Sequence, residues 1–266
     1  NKALQAGTSH YLGQNFSRAF GVTYQTEAGE HEYVWNTSWG VTTRLIGALV
    51  MTHGDDAGLR LPPKLAPIEV VIVPIYRSDD ERASTLEAAQ AVRAALEPAT
   101  RVRVDDRTTL NPGAKYYEWE MKGVPLRIEI GPRDVAADQV VLVRRFGETD
   151  GKRKAPVSRD AVAATVQATL AAMQAELLEA TRARRESNTR RGIETYDELR
   201  RLIETDAGFV FTGWCGSADC EAKAKEEMKA EIRVIPEEEF RSTPAPSTCV
   251  VCGRPSVAEV VWARAY

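Results

Sequence analysis

The sequence has no apolar run approaching the ~20 residues that a membrane-spanning helix requires. Its opening, NKALQAGTSHYLGQNF, lacks the basic and apolar regions of a secretory signal, and it lacks an initiating Met. The expectation is a cytoplasmic protein with no membrane partner, cut inside a domain. Charge of one sign is also lacking. A formal net charge of −3 carries no global mark of nucleic-acid binding, although a local basic face is compatible with it. Internal repeats are absent, and low complexity is confined to the loop PEEEFRSTPAPST. Cysteine is scarce. Four in 266 residues, without a signal peptide, favour a metal site over disulfides.

What is present is ordinary for a globular chain, 43% hydrophobic and 27% charged, with length for one large or two to three modest domains. Residues 1–66 mix Gly, Thr, Ser and aromatics. HEYVWNTSWG alternates like a strand, and VTTRLIGALVMTHG carries apolar spacing of a helix closed by Gly54. LRLPPKLAP, with three prolines, reads as a rigid extended linker. Residues 67–190 alternate strand and helix. IEVVIVPIY, RVRVDD, VPLRIEIG and QVVLVRRF read as strands, and ASTLEAAQAVRAALE and GAKYYEWEMKG as helices. A long helix begins in VSRDAVAATV, with Ser158 as its N-cap. This order predicts an α/β layer with a mostly parallel sheet. The helix ends in the arginine-rich RARRESNTRR, a solvated helix end or an RNA backbone contact. Residues 191–266 are predicted to hold a helix ended by Gly208, the strand FVFTGWC, a charged helix and a final strand VAEVVWARAY.

Two constellations carry chemistry. Cys215-x4-Cys220 and Cys249-x2-Cys252, each beside a glycine, have the spacing of a structural Zn²⁺ site with all four positions filled; the alternative is four unrelated reduced cysteines. In the first segment, Gln5, Thr8, Ser9 and His10 lie in a polar, Gly-containing stretch. Arg44 opens an otherwise apolar helix and requires an anion or solvent. Thr42 and Thr43 precede it, where phosphate oxygens are well received. Gly40 permits close approach of a ligand and Trp39 offers a flat wall. The plainer alternative is a strand, turn and helix with a surface Arg.

GTSHYLGQNFSRAF, NTSWGVTTRLIGALVMTHGDDAGLRLPP and GVPLRIEIGPRD, with the four cysteines and the terminal ARAY, resemble prolyl-tRNA synthetase of the archaeal/eukaryotic-like type. The resemblance covers nearly the whole chain. It implies a multidomain α/β and α+β protein. Residues 1–66 would be the C-terminal part of a class II catalytic domain built on an antiparallel sheet. Residues 67–190 would be an α/β anticodon-binding domain with a mixed five-stranded sheet, and 191–266 a small α+β zinc-binding domain. It implies a homodimer that activates L-proline with ATP and Mg²⁺ and esterifies tRNA(Pro). WGVTTR resembles class II motif 3, which gives Arg44 the catalytic contact to the ATP phosphates. Gln5, Thr8 and Thr42 match ATP-contacting positions, and His10 matches one lining the proline pocket, with Ser38, Trp39 and Gly40 beside it. Thr43 stands where many class II enzymes have Glu. Lys115, Tyr117, Glu118, Lys122 and Arg133 combine donors, an acceptor and an aromatic face suited to anticodon bases. Tyr266 would end a tail docked toward the catalytic domain. Motifs 1 and 2 are missing, so the fragment alone is expected to form no prolyl-adenylate. A truncated tRNA-binding paralogue, or a class II enzyme for another amino acid such as threonine, are the alternatives.

Overall fold

The computed structural model describes residues 2–97, 99–148, 151–205 and 208–265. The chain folds as two compact units. One joins the segment through Leu45 to the segment from Arg184 onward, and the other is Ile46–Ala183. Among the described residues, no helix is long and apolar enough to cross a membrane.

The first segment holds β1 (Thr8–Gly13), α1 (Asn15–Phe20), β2 (Thr23–Gln25), β3 (His31–Tyr33), β4 (Asn36–Gly40) and α2 (Arg44–His53). The single strand expected over residues 31–40 is two. β3 pairs with β2, whereas β4 pairs antiparallel with β1. The break falls at Val34, whose carbonyl takes the Ser17 hydroxyl at 2.6 Å and whose N–H donates to Val22. The N–H bond extends the pairing with β2 by one more residue, while the carbonyl, taken by Ser17, turns out of that ladder before β4 begins. α2 forms as expected, and Gly54 follows it with its N–H on the Val50 carbonyl at 2.8 Å.

The second unit contains β5 (Val70–Pro74), α3 (Asp79–Leu96), β6 (Val102–Val104), α4 (Pro112–Met121), β7 (Leu126–Ile130), α5 (Pro132–Ala136), β8 (Gln139–Arg144), β9 (Lys154–Ser158) and most of α6 (Val162–Ser187). Its five strands lie in the order β6-β5-β7-β8-β9. The first three are mutually parallel and the β7–β8 and β8–β9 pairings are antiparallel, so the sheet is mixed rather than mostly parallel. Every residue of β5 is buried, as its unbroken apolar run requires of a central strand. Val70, Ile72, Leu126, Ile128 and Leu142 pack with Ala88, Val92 and Leu96 of α3 and Val166 and Leu170 of α6. Ser78 caps α3 by accepting the Glu81 N–H, and Asn111 caps α4 by accepting the Ala114 N–H at 2.9 Å.

Two further expectations fail in this unit. Ser158 is no N-cap: it ends β9, opposite Gln139, and α6 starts four residues later. β9 tolerates Pro156 because it is an edge strand, where a missing N–H breaks no inner ladder. The proline-rich stretch is a strap rather than a spacer. Leu59 N–H donates to the Met121 carbonyl at 3.0 Å, and Arg101 donates to the carbonyls of Ala66 and Pro63, both at 2.8 Å. Gly58, at φ +129°, lies so close to Met121 that an added Cβ would sit 2.5 Å from its backbone. At the head of the strap, Asp55 accepts Arg60 Nε at 2.7 Å and two nitrogens of the buried Arg145, at 3.1 and 2.5 Å.

The last segment adds β10 (Thr189–Arg190), α7 (Tyr196–Glu204), β11 (Phe209–Trp214), α8 (Ala218–Met228), β12 (Ala230–Val234) and β13 (Ala258–Arg264). Strand order is β10-β11-β13-β12, with β10 parallel to β11 and the rest antiparallel. β10 and β12 escape the sequence pattern. Leu199 and Ile203 of α7 and Met228 of α8 bury against Val210, Val260 and Trp262, and the Trp262 indole donates to Thr212 Oγ1 at 2.9 Å. Gly208 does not end α7, which closes at Thr205. Its φ of +83° serves a close approach, since a Cβ there would lie 2.5 Å from the Asn188 carbonyl oxygen. Four of the five arginines in the run have local partners. Arg182 pairs with Glu179 and Arg185 with Glu186, Arg190 donates to the Ser187 carbonyl, and Arg191 stacks 3.7 Å from the Phe211 ring.

Candidate functional site

The β1–β4 ribbon gathers most of the residues expected at a nucleotide and amino-acid site. Thr8 stands opposite Gly40, Ser9 opposite Trp39 and His10 opposite Ser38. Gln5 Nε2 donates to Thr8 Oγ1 at 2.5 Å. Successive strand residues face opposite sides, and directly paired residues share a side. Thr8, His10, Ser38 and Gly40 therefore line one face, while Trp39 stands on the other with Ser9. Thr42 Oγ1 accepts the Arg44 N–H at 3.3 Å, which seats Arg44 in the first turn of α2. The face is open. Trp39 is 78% exposed, Arg44 is exposed, and a Cβ on Gly40 would meet nothing within 4 Å. A two-stranded ribbon is marginal alone, and this one also presents Tyr11, Trp35 and Val41 to solvent. Among the described residues the ribbon presents an open polar face, with the exposed Arg44 as a donor for an anion.

Around α4 the structure assembles a charged and aromatic knot. At the C-terminal end of β6, Asp105 is 2% exposed. It accepts Trp119 Nε1 at 2.8 Å and Arg107 Nε and Nη2 at 2.8 and 2.7 Å. Lys115 is also 2% exposed and donates to the Asp105 carbonyl at 2.9 Å. Its spacing of four from Trp119 puts both on the inner face of the helix. Burial opposes ionisation of Asp105, but the hydrogen bonds from Arg107 and Trp119 and the charge of Lys115 outweigh it and hold its pKa at about 2. Arg107 reaches on to Glu118 at 2.9 Å, and Glu118 accepts Lys122 at 2.5 Å. Those bonds, from Lys122 first and then Arg107, keep the Glu118 carboxyl below its usual range. Lys122 sits 4.8 Å from the Trp119 ring. Tyr117 is 76% exposed, and Arg133 is exposed on α5. Of the residues expected to read bases, Tyr117, Glu118, Lys122 and Arg133 present themselves at the surface and Lys115 does not. Asp105, Arg107 and Trp119 went unread in the sequence. The signal was there: an acidic pair ending a strand, and a Lys four residues before a Trp.

The four cysteines converge from three places in the chain. Cys215 follows β11, Cys220 lies in the first turn of α8, and Cys249 and Cys252 flank the turn before β13. None is disulfide-bonded. Cys215 Sγ is 3.7 Å from Cys220 Sγ and 3.6 Å from Cys252 Sγ, and all four sulfurs lie within 4.8 Å of one another. A tetrahedron with Zn–S bonds of ~2.3 Å has edges of about 3.8 Å, so the donor set and its spread fit a tetrahedral metal ion. Gly216 and Gly253, at φ +82° and +71°, take left-handed turns beside the sulfurs. Arg254 donates to Cys252 Sγ at 3.3 Å and Cys215 Sγ at 3.5 Å. Its guanidinium holds the Cys252 thiol down at about 6, while burial pushes Cys220 up to about 12. Tyr266 lies outside the described residues.

Comparison with known proteins bears on all three features. Residues 69–169 match the family described as anticodon binding domain, and residues 196–266 match the one described as prolyl-tRNA synthetase, C-terminal. The chain is 49% identical over 266 residues to a proline--tRNA ligase of Chloroflexus aggregans, covering 100% of this chain and 54% of that protein. It is 44% identical over 265 residues to the one of Roseiflexus castenholzii, with 100% and 54% covered. Against the one of Lachnospira eligens it is 45% identical over 266 residues, with 100% and 53% covered. The chain spans about half the length of the curated relatives it matches.

Proposed function

We propose that this chain, whose residues 196–266 match the prolyl-tRNA synthetase C-terminal family and whose residues 69–169 match the anticodon binding domain family, works as part of a proline–tRNA ligase. That enzyme activates L-proline with ATP to prolyl-adenylate and transfers it to tRNA(Pro). The observation that carries this is similarity from end to end, 49% identity over all 266 residues, to a protein of that name.

The β1–β4 ribbon and the start of α2 are the wall on which ATP and proline would lie. Arg44 would neutralise phosphate charge, with Gln5, Thr8 and Thr42 as polar contacts to ATP carrying Mg²⁺. His10, Ser38 and Gly40 share the face that would receive proline, and Trp39, on the opposite face with Ser9, would back that strand rather than line the site. The proline carboxylate would attack the α-phosphate in line, breaking its bond to the bridging oxygen and releasing pyrophosphate, so the chemistry needs positioning and charge neutralisation rather than a side-chain nucleophile. The residues of 67–190 would hold the tRNA(Pro) anticodon, with Tyr117 as a stacking face and Glu118, Lys122, Arg133 and Arg107 as polar partners. Lys115 would be the buried anchor behind them. Residues 191–266 would form a zinc-binding domain in which Cys215, Cys220, Cys249 and Cys252 hold a structural Zn²⁺. The metal would cross-link three separated segments, with no position left for catalysis. Residues 1–66 would be the remaining, catalytic part. The working enzyme would be a cytoplasmic homodimer, with Tyr266 docked at its tail.

A second reading is favoured by the openness of the ribbon, and separately by a five-stranded unit with its own core: this chain binds tRNA(Pro) without charging it. One pair of measurements separates the two. Proline-dependent ATP–pyrophosphate exchange is expected from the full-length enzyme, lost in its Arg44→Ala variant, and absent from the 266-residue chain. Exchange driven by a different amino acid would overturn the proposal. Full-length protein that binds tRNA(Pro) and exchanges with no amino acid would leave the second reading standing.

A further inference from the structure

We propose that Arg254 is a positioning residue for the four-cysteine site, one that raises its affinity for metal by bridging sulfurs from both cysteine pairs. The inference rests on the zinc reading above and concerns a residue outside the ligand set.

The geometry is specific. Arg254 follows the second pair by two residues, yet its guanidinium reaches across to the first. Nε donates to Cys252 Sγ at 3.3 Å and Nη2 to Cys215 Sγ at 3.5 Å. Its backbone is fixed from below. The Cys249 N–H donates to the Arg254 carbonyl at 2.8 Å, and Thr248 and Pro255 form a bridge on either side of the turn. The side chain thus springs from a pinned point and spans two ligands 37 residues apart in sequence.

Charge explains what this achieves. Four thiolates around one Zn²⁺ leave a net charge of −2, and Cys252 is exposed to water. A guanidinium beside two of the sulfurs offsets one of those charges and gives each a charge-assisted hydrogen bond. Arg suits the role better than Lys, since its planar fork can address two acceptors at once. Partners of this kind orient ligands and typically contribute 10–100-fold in metal affinity.

The test is competition for zinc between the 266-residue chain and a chromophoric chelator, for wild type, Arg254→Gln and Arg254→Lys. Arg254→Gln is expected to bind zinc about 10-fold or more weakly. Arg254→Lys, which keeps the charge and loses the fork, falls between. With cobalt in place of zinc, the thiolate-to-metal charge-transfer band is expected to shift in Arg254→Gln and to return toward wild type in Arg254→Lys. Far-ultraviolet circular dichroism at saturating zinc checks that each variant is folded. Equal zinc affinity in wild type and Arg254→Gln, with unshifted cobalt spectra, would overturn the inference and leave the zinc reading intact. A wild-type chain that takes up no zinc and has four reactive thiols would overturn both.

Discussion

The Trp119 indole N–H donates to the Asp105 carboxylate at 2.8 Å, joining the inner face of α4 to the end of β6 inside the protein. The same carboxylate lies 3.8 Å from the ammonium of Lys115, which is equally buried. Removing Asp105 strands a cation away from water, at a cost of ~3–5 kcal/mol for breaking such a pair. Asp105→Ala is expected to lose that much in urea unfolding followed by Trp fluorescence. The pH dependence follows from the direction of the shift. The folded pKa, at about 2, is below the unfolded value, so the stabilisation is complete above the unfolded pKa and disappears as pH falls toward 2. Wild type should therefore lose stability through that acid window more steeply than Asp105→Asn does. Parallel acid titrations would count against Asp105 as the anchor.

Asp55 should hold the strap to its unit in the same manner. Arg145, joined to it by two bonds, has a side chain only 3% exposed. Asp55→Ala is expected to cost ~3–5 kcal/mol and to free the following residues. Trypsin should then cut after Arg60 and Lys64 faster than in wild type, well before cuts appear elsewhere. Unchanged cleavage at those two sites would show that the main-chain bonds of Leu59 and Leu61 suffice.

Zinc should be required for the C-terminal fold. Metal analysis is expected to find about one zinc per chain, and a chelator to lower the Tm of this segment. Cys249→Ser should reproduce the effect without chelator, because Cys249 is buried and its loss opens the site. A melting curve indifferent to chelator would contradict this.

Binding of tRNA(Pro) should separate two side chains on the outer face of α4. Lys122→Ala is expected to weaken binding by roughly 1 kcal/mol on any tRNA and to reduce the salt dependence, as a phosphate contact does. Glu118→Gln should instead cost ~1–3 kcal/mol on tRNA(Pro) and little on tRNAs lacking guanines in the anticodon, if it reads a base edge. Equal losses on every tRNA would assign Glu118 to supporting Lys122 and Arg107.

Much of this architecture was legible where burial and pattern agree. The apolar run of β5 announces a central strand, and the amphipathic spacing of α3 and α7 announces helices. The misses have physical causes. β9 is an edge strand with charged and proline residues, so KAPVS lacks a strand's signature. β12 hides in the charged tract after α8, where only Ala230 is buried. Lys115 reads as a free donor on its own helix, because the carboxylate it packs against lies ten residues away at the end of another element. The separation of Trp39 from Ser38 and Gly40 was within reach, since adjacent strand residues cannot share a face.

β13 is the final described strand, yet it lies between β11 and β12 and pairs with both. A ribosome delivers β11 and β12 first; β11 then has only the short β10 beside it, and β12 lacks its sheet partner until β13 has emerged. Until then β11 has one open edge and β12 two, inviting each other or a stray chain. This segment therefore cannot mature progressively as it is synthesised. It should snap shut late, and a truncation that removed Ala258–Arg264 would withdraw the middle of a sheet rather than trim its margin.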